Sequence, residues 1–102
     1  MGEFLELTMY KLYVSYNMKD GKEEDCQRYF SQVLGPTMTR FGANVAEVWY
    51  TIWGDVPQVQ SGSILDTEEE LQRLVNSTKW QEALEGIEPL VDDLNVRTVR
   101  VG

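Results

Sequence analysis

Glu47 is the side chain in this sequence that is best suited to acid–base chemistry. It lies in an alternating run that places three further side chains on the same side of a predicted strand: Trp49, Thr51 and Trp53. A carboxylate enclosed beside aromatic rings has its charged form disfavoured, which raises its pKa toward the range useful for proton transfer. We therefore predict Glu47 as a catalytic residue. The alternative is an edge glutamate that pairs with Arg97, Arg100 or a partner's lysine.

The same predicted face carries side chains that could hold a small molecule. A neighbouring strand contributes three of them, so the predicted ligand-binding residues are Tyr13, Ser15, Asn17, Trp49, Thr51 and Trp53. The rings could stack on a flat ligand, and the hydroxyl and amide groups could orient it by hydrogen bonds. The alternatives are that the rings form the core of a homodimer interface and that the polar groups face water.

The residues that are missing exclude several kinds of chemistry. The 102 residues include no histidine and one cysteine, Cys26. Ser-His-Asp and Cys-His catalysis, an internal disulfide and a cysteine-based zinc site are therefore excluded, and we predict no metal and no cofactor. Cys26 lies on the buried stripe of a predicted helix, where a thiol is usually inert rather than nucleophilic.

The charge balance and the termini bear on partners and location. With 17 acidic and 9 basic residues the formal net charge is -8. Binding of phosphate draws mainly on Lys and Arg, so neither nucleic acid nor membrane is an expected partner. The single cysteine favours a reducing compartment. We find no signal peptide and no apolar run of about 20 residues, and we expect a cytoplasmic protein.

Six elements position these residues, in the order strand, helix, strand, strand, helix, strand. The strands are predicted at Tyr10 to Met18, at Asn44 to Leu65 as a hairpin turning at Gly54 to Pro57, and at Asn95 to Val101. In the hairpin, Ala46, Val48, Tyr50 and Ile52 share the face opposite Val45 and Glu47. The second hairpin strand could turn either face inward, and a bulge near Gly62 could switch the two.

The helices are predicted from their apolar spacing and their end signals. The first runs from about Lys22 to Leu34 with a buried stripe, is interrupted by Gly35-Pro36 and ends at Gly42; the stripe is Cys26, Tyr29, Phe30, Val33 and Leu34. The second starts at the capping box Thr67 to Glu70. It has a hinge at Asn76 to Thr78, a second box formed by Thr78 and Gln81, and a kink or end at Pro89.

This order predicts a ferredoxin-like α+β domain over residues 10–102, preceded by an arm at residues 1–9. A four-stranded antiparallel sheet with both helices on one face satisfies the order with right-handed crossovers. The helices are expected to cover the face with Leu12, Val14 and Val48. The other face would expose two tryptophans and a tyrosine, so we expect a second copy of the chain to cover it.

From Tyr10 to Val101 the chain resembles the dimeric α+β barrel superfamily, including EthD-like, stress-responsive and antibiotic-biosynthesis monooxygenase proteins. The resemblance lies in element order, length, the Tyr-Phe and Gly-Pro pairs of the first helix, and a broken second helix with Trp80. It implies two protomers that press their open sheet faces together around a cavity. Members often carry a His-x-Pro segment after the first helix; here Pro36 matches but Leu34 replaces the histidine, so that chemistry is not carried over.

Together these features predict a homodimer that binds a small aromatic or lipophilic molecule or has a structural role. The alternative is an enzyme that acts without metal or flavin, as the resemblance implies for monooxygenase and isomerase members, with Glu47 as acid or base. A third interpretation is a ligand-sensing regulatory domain, against which the lack of a DNA-binding segment weighs.

Overall fold

The computed structural model of the protein describes residues 9–51 and 57–101. The strands are β1 (Met9–Met18), β2 (Asn44–Tyr50), β3 (Val59–Leu65) and β4 (Val91–Val101). The helices are α1 (Glu23–Tyr29), α2 (Gly35–Arg40), α3 (Glu68–Val75) and α4 (Thr78–Ile87). All strand pairs are antiparallel and the sheet order is β2-β3-β1-β4. This is the predicted ferredoxin-like arrangement.

The helices cover one face of the sheet and form the core with it. Leu12 and Val14 of β1 are fully buried against them, as predicted. The helical layer contributes several large buried side chains, namely Leu34, Met38, Leu74, Trp80 and Ile87. Among the described residues, no helix combines the length and the apolar character that crossing a bilayer requires.

The predicted interruption at Gly35-Pro36 is wrong. The helix continues from α1 to α2 through a π-helical turn, Phe30–Leu34, in which the N–H of Gly35 donates to the carbonyl of Phe30. Pro36 then lies in the first turn of α2, where the missing N–H costs little. The wider turn also shifts the buried stripe, so that Leu34 is fully buried but Val33, predicted to be buried, is 37% exposed.

The helix ends show which polar side chains act as caps. Thr67 accepts a hydrogen bond from the N–H of Glu70 at 3.0 Å, which confirms the predicted cap of α3. The cap of α4 is Ser77, which accepts from the N–H of Trp80, and the prediction of Thr78 was one residue too far. After α4 a 3₁₀ turn at Glu88–Leu90 contains Pro89, where the helix was expected to end.

A bulge in β2 changes which of its residues face the helices. Val45 pairs with Ser63 and Glu47 pairs with Gly62, so Ala46 is an extra residue between them. Val45 therefore packs partly against the core, whereas it was predicted to share the face of Glu47. Val48 and Tyr50 keep the predicted helical side, but this edge of the sheet extends beyond the helices and leaves them 40% and 55% exposed.

Strand β3 shows which of its two faces points inward, which the sequence pattern left open, and β4 is longer than predicted. In β3 the inward residues are Val59, Ser61, Ser63 and Leu65, all of which are buried. Strand β4 begins at Val91, four residues before the predicted Asn95. The pairing register between β1 and β4 shifts opposite Tyr16, and the longer β4 accommodates this shift. Asp93 lies at the shift and has a positive φ of 56°.

Candidate ligand-binding face

Two rows of side chains cross the sheet on the side away from the helices, which we call the open face. The Glu47 row consists of Glu47, Gly62, Tyr13 and Arg97, one from each strand. The Trp49 row lies beside it and consists of Trp49, Gln60, Ser15 and Asn95. Strand pairing therefore brings four predicted site residues, namely Tyr13, Ser15, Glu47 and Trp49, to one face of the sheet.

Gly62 leaves a gap between the two functional groups of the Glu47 row. A β-carbon at Gly62 would lie 3.8 Å from the Oε2 atom of Glu47 and 3.4 Å from the ring of Tyr13. The absent side chain thus opens a depression of about 20 Å³ that Glu47 and Tyr13 line. Among the described residues the ion pairs formed are those of Arg28 and Arg73, and none joins Glu47 to Arg97 or Arg100.

Arg97 and Tyr13 form the other end of that row. The guanidinium carbon of Arg97 lies 4.9 Å from the centre of the Tyr13 ring, a cation–π arrangement. Beside them is a depression of about 220 Å³, lined by Tyr13, Ser15, Pro57, Gln60, Asn95 and Arg97. The alternation of side chains in the last strand predicted Arg97 and Val96 on opposite faces. Only the pairing of β4 with β1 shows that Arg97 lies beside Tyr13 and Ser15.

Four residues at this depression were absent from the predicted site, namely Pro57 and the polar residues Gln60, Asn95 and Arg97. Gln60 belongs to the strand whose inward face was left open, so its position followed only from the pairing of β3 with β1. Asn95 and Arg97 belong to β4, whose register was not predicted. The sequence indicated their position through the alternation of side chains in the last strand, which places Asn95 and Arg97 on the same face of the sheet.

Two of the predicted ligand-binding residues have backbone roles at the end of the sheet. The Asn17 side chain accepts from the N–H of Gln58 at 2.8 Å and donates to the Asp93 carboxylate at 3.2 Å. Thr51 is half-buried and its N–H donates to the carbonyl of Gln58 at 2.8 Å. Their contact with a ligand stays a prediction. Trp53 lies outside the described residues.

The open face also exposes apolar side chains. Trp49 is 39% exposed, and Met9 and Val99 are each 37% exposed. Val99 pairs with Lys11, which pairs in turn with Ile64, so a third row of mixed character adjoins the Glu47 row. The centre of the face is thus polar around Ser15 and apolar toward both edges.

The buried titratable groups lie on the other side of the sheet. The Cys26 thiol is fully buried and donates to the carbonyl of Leu90 at 3.2 Å. Burial raises its pKa, and the charges of Asp25 and Glu23 raise it further. A thiol that stays protonated and inaccessible is a poor nucleophile, in agreement with the predicted inert role.

Within residues 9–51 and 57–101, no cluster of three or more His, Cys, Asp or Glu side chains could hold a metal ion. A depression of about 320 Å³ lies on the helical side, between the α1–α2 run and α4. Its lining includes Arg40, Lys79 and Tyr29, and the hydroxyl of Tyr29 donates to the carbonyl of Ala83.

Comparison with known proteins identifies relatives by structure alone. A dimeric ferredoxin-like protein of unknown function from Thermobifida fusca has 13% identity and a TM-score of 0.68, with 98% of this chain and 97% of that chain covered. An EthD family protein from Bacillus halodurans has 15% identity and a TM-score of 0.69, with 92% and 99% covered. A NIPSNAP family protein from Agrobacterium tumefaciens has 14% identity and a TM-score of 0.65, with 90% of each chain covered.

These likenesses establish the ferredoxin-like fold and agree with the predicted resemblance to dimeric α+β barrels. No protein-family model matches the sequence, and no curated protein matches it either.

Proposed function

We propose that the protein is a homodimer whose two open faces enclose a small aromatic or lipophilic molecule. The observation that carries this proposal is the position of Trp49, which stands 39% exposed on a sheet face that no helix of the described chain covers. Large apolar side chains on an uncovered sheet favour association, because burying them removes apolar surface from water.

The occupant we propose for the open face is a second copy of the same chain. The Thermobifida fusca protein of the same fold is described as dimeric, and it covers nearly the full length of this chain. A twofold pairing needs a self-complementary surface. The open face offers one, with apolar residues toward its edges and a basic residue, Arg97, at the opposite end of a row from an acidic one, Glu47.

The depression beside Tyr13 supports a ligand rather than a solid interface. Its volume is about 220 Å³, and two such depressions facing each other would reach the size of ordinary small-molecule pockets, about 300–1,000 Å³. Its lining combines an aromatic ring with polar side chains, which is the composition that fixes the orientation of a ligand. The protected thiol of Cys26 suits the reducing cytoplasm in which we propose that the protein acts.

An enzymatic function is the second candidate, and the position of Glu47 is the observation that favours it. Its carboxylate lies beside Tyr13 over the gap at Gly62 and has no ion pair with any described residue. Enclosure by a second sheet would remove it from water and adapt it to proton transfer. In this alternative Asn17 and Thr51 orient the substrate of a cofactor-independent monooxygenase or isomerase.

The proposal is tested by placing a charge at the centre of the open face. Ser15 lies on a central strand, half-buried, between Gln60 and Asn95. In a monomer, the charge introduced by Ser15→Arg remains in water. In the proposed dimer, each protomer would bury one such charge in the interface. We expect the dimer dissociation constant to rise at least about 100-fold by sedimentation velocity, because unpaired buried charges cost several kcal/mol. Ser31→Arg, on the exposed surface of the first helical run, is the matched control.

Ligand binding is followed in the same variants with N-phenyl-1-naphthylamine, a neutral lipophilic dye that fluoresces when it leaves water. The wild type and Ser31→Arg should bind the dye as dimers, and Ser15→Arg should lose both properties. A wild type that is monomeric at about 100 µM, or a Ser15→Arg variant that dimerises normally, contradicts the proposal.

A further inference from the structure

We propose that the ligand of the open face carries an anionic group, a carboxylate on an aromatic body, and that Arg97 binds this group. The inference rests on the proposed function, since it names the chemistry of the molecule held between the sheets. It comes from the state of Arg97 and from the polar side chains that surround the depression beside it.

Arg97 is oriented by Tyr13 and forms no ion pair with another residue of the ranges 9–51 and 57–101. Its guanidinium lies over the ring at 4.9 Å, and the ion pairs formed within the described chain use Arg28 and Arg73 instead. Stacking occupies the flat side of a guanidinium and leaves the N–H groups at its edge available for a planar, bidentate acceptor. The side chain is therefore held in place while its strongest donors remain unused.

The neighbouring side chains of the depression are neutral and have unused hydrogen-bonding capacity. Ser15, Gln60 and Asn95 form one continuous row, and none of their side chains makes a hydrogen bond to another described residue. A hydroxyl and two amides can all donate to an oxyanion. Of the described residues that line this depression, Arg97 is the one that carries a charge, so an acidic ligand group meets a cation and neutral donors there.

The acidic residue of the Glu47 row lies at the end of that row opposite Arg97. Glu47 and Arg97 are separated by three strand spacings, roughly 14 Å at about 4.8 Å per strand. At that distance Glu47 of the same chain does not neutralise Arg97, and it disfavours an anion at its own end. A ligand that places its carboxylate at Arg97 directs its ring across Tyr13 toward Gly62, where the absent side chain leaves room, and toward the exposed ring of Trp49.

The test compares two probes that share a ring system and differ in charge, 2-naphthoate and 2-naphthalenemethanol. Binding to the intact wild-type dimer is measured by isothermal titration calorimetry. We expect 2-naphthoate to bind at least about 10-fold more tightly, as expected for one charge-assisted bidentate contact. In Arg97→Gln this preference should fall below about twofold, with the affinity for the neutral probe unchanged. Arg97→Lys should keep part of the preference.

Arg100→Gln is the matched control. It removes the same charge from the same strand, but Arg100 pairs with Tyr10 and lies on the side opposite Arg97. It should retain the full preference for 2-naphthoate, which excludes an effect of net charge alone. Sedimentation velocity on each variant accompanies the titrations.

The outcomes separate this inference from the proposed function. If both probes bind the wild type equally, or if Arg97→Gln keeps the preference, the anionic subsite is wrong and the ligand-binding dimer stands. If Arg97→Gln weakens the dimer without changing the preference, Arg97 contributes to the interface and not to ligand binding, and the inference is also wrong. If the dimer forms but binds neither probe, the ligand-binding function itself fails.

Discussion

Replacing Trp49 by alanine measures how much of the proposed dimer is held by the open face. The residue pairs with Gln60 on that face and is 39% exposed in the protomer. For a tryptophan side chain of roughly 250 Å², this leaves about 100 Å² to be buried on association. At about 25 cal/mol per Å² the contribution is about 2.5 kcal/mol per protomer, or about 5 kcal/mol for the symmetric dimer.

The measured loss should be smaller than this sum, because association also orders side chains and desolvates polar groups. We expect Trp49→Ala to weaken the dimer by about 2–4 kcal/mol, a dissociation constant about 30- to 900-fold higher. Sedimentation velocity over a concentration series gives that constant directly. Circular dichroism and urea unfolding of the dilute monomer show how much of the effect comes from the protomer.

Tyr50 supplies the control, because it is the next residue of the same strand and is more exposed, at 55%. It pairs with Val59 and lies on the helical side. Tyr50→Ala removes a comparable aromatic surface from the opposite face, so it should change the dissociation constant by less than about threefold. An equal effect of the two variants, or no effect of Trp49→Ala, would refute the assignment of the open face as the interface.

Two further predictions concern titratable groups. Glu47→Gln is a near-isosteric change and should leave dimerisation and dye binding within about threefold of wild type. It should abolish turnover of any aromatic substrate processed by that carboxylate, whereas loss of the dimer would identify Glu47 as an ion-pair partner. Burial raises the pKa of Tyr16, Cys26 and Tyr29 above their unfolded values, so the folded state keeps protons that the unfolded chain releases. The free energy of unfolding should therefore have its full value below about pH 8.5 and decrease as the pH rises from about 9 to 12. The decrease is at most about 1.4 kcal/mol per pH unit for each group. Urea unfolding across this range checks the slope, Tyr16→Phe should make it shallower, and a flat profile in the wild type would contradict the burial argument.

The bulge in β2 shows why the site was only partly predictable. Alternation correctly placed Tyr13, Ser15, Glu47 and Trp49 together, because the side chains of a regular strand point to opposite faces by turns. The extra residue Ala46 is not marked by any such pattern. It follows from how β2 must bend to keep pairing with β3, which is a property of two strands and not of one.

The helices also show that local sequence signals predict only part of the structure. Thr67 was recognised as a cap because its hydrogen bond to Glu70 is local. Gly35-Pro36 is also a local signal, but it was interpreted as a break, whereas packing of Leu34 and Met38 into the core keeps the chain helical through a π-helical turn. Burial of two large side chains outweighs a local preference of about 1–3 kcal/mol.

The sequence alone determined the order of the elements, the ferredoxin-like class and the face on which Glu47 and Trp49 lie, because these depend on periodicity and on end signals within short segments. Only the tertiary structure decided that Arg97 stacks on Tyr13 and that Gln60, Ser15 and Asn95 form one row. Those contacts join strands that are up to about 80 residues apart in the chain, and their register is set by bulges and by the packing of the helical layer.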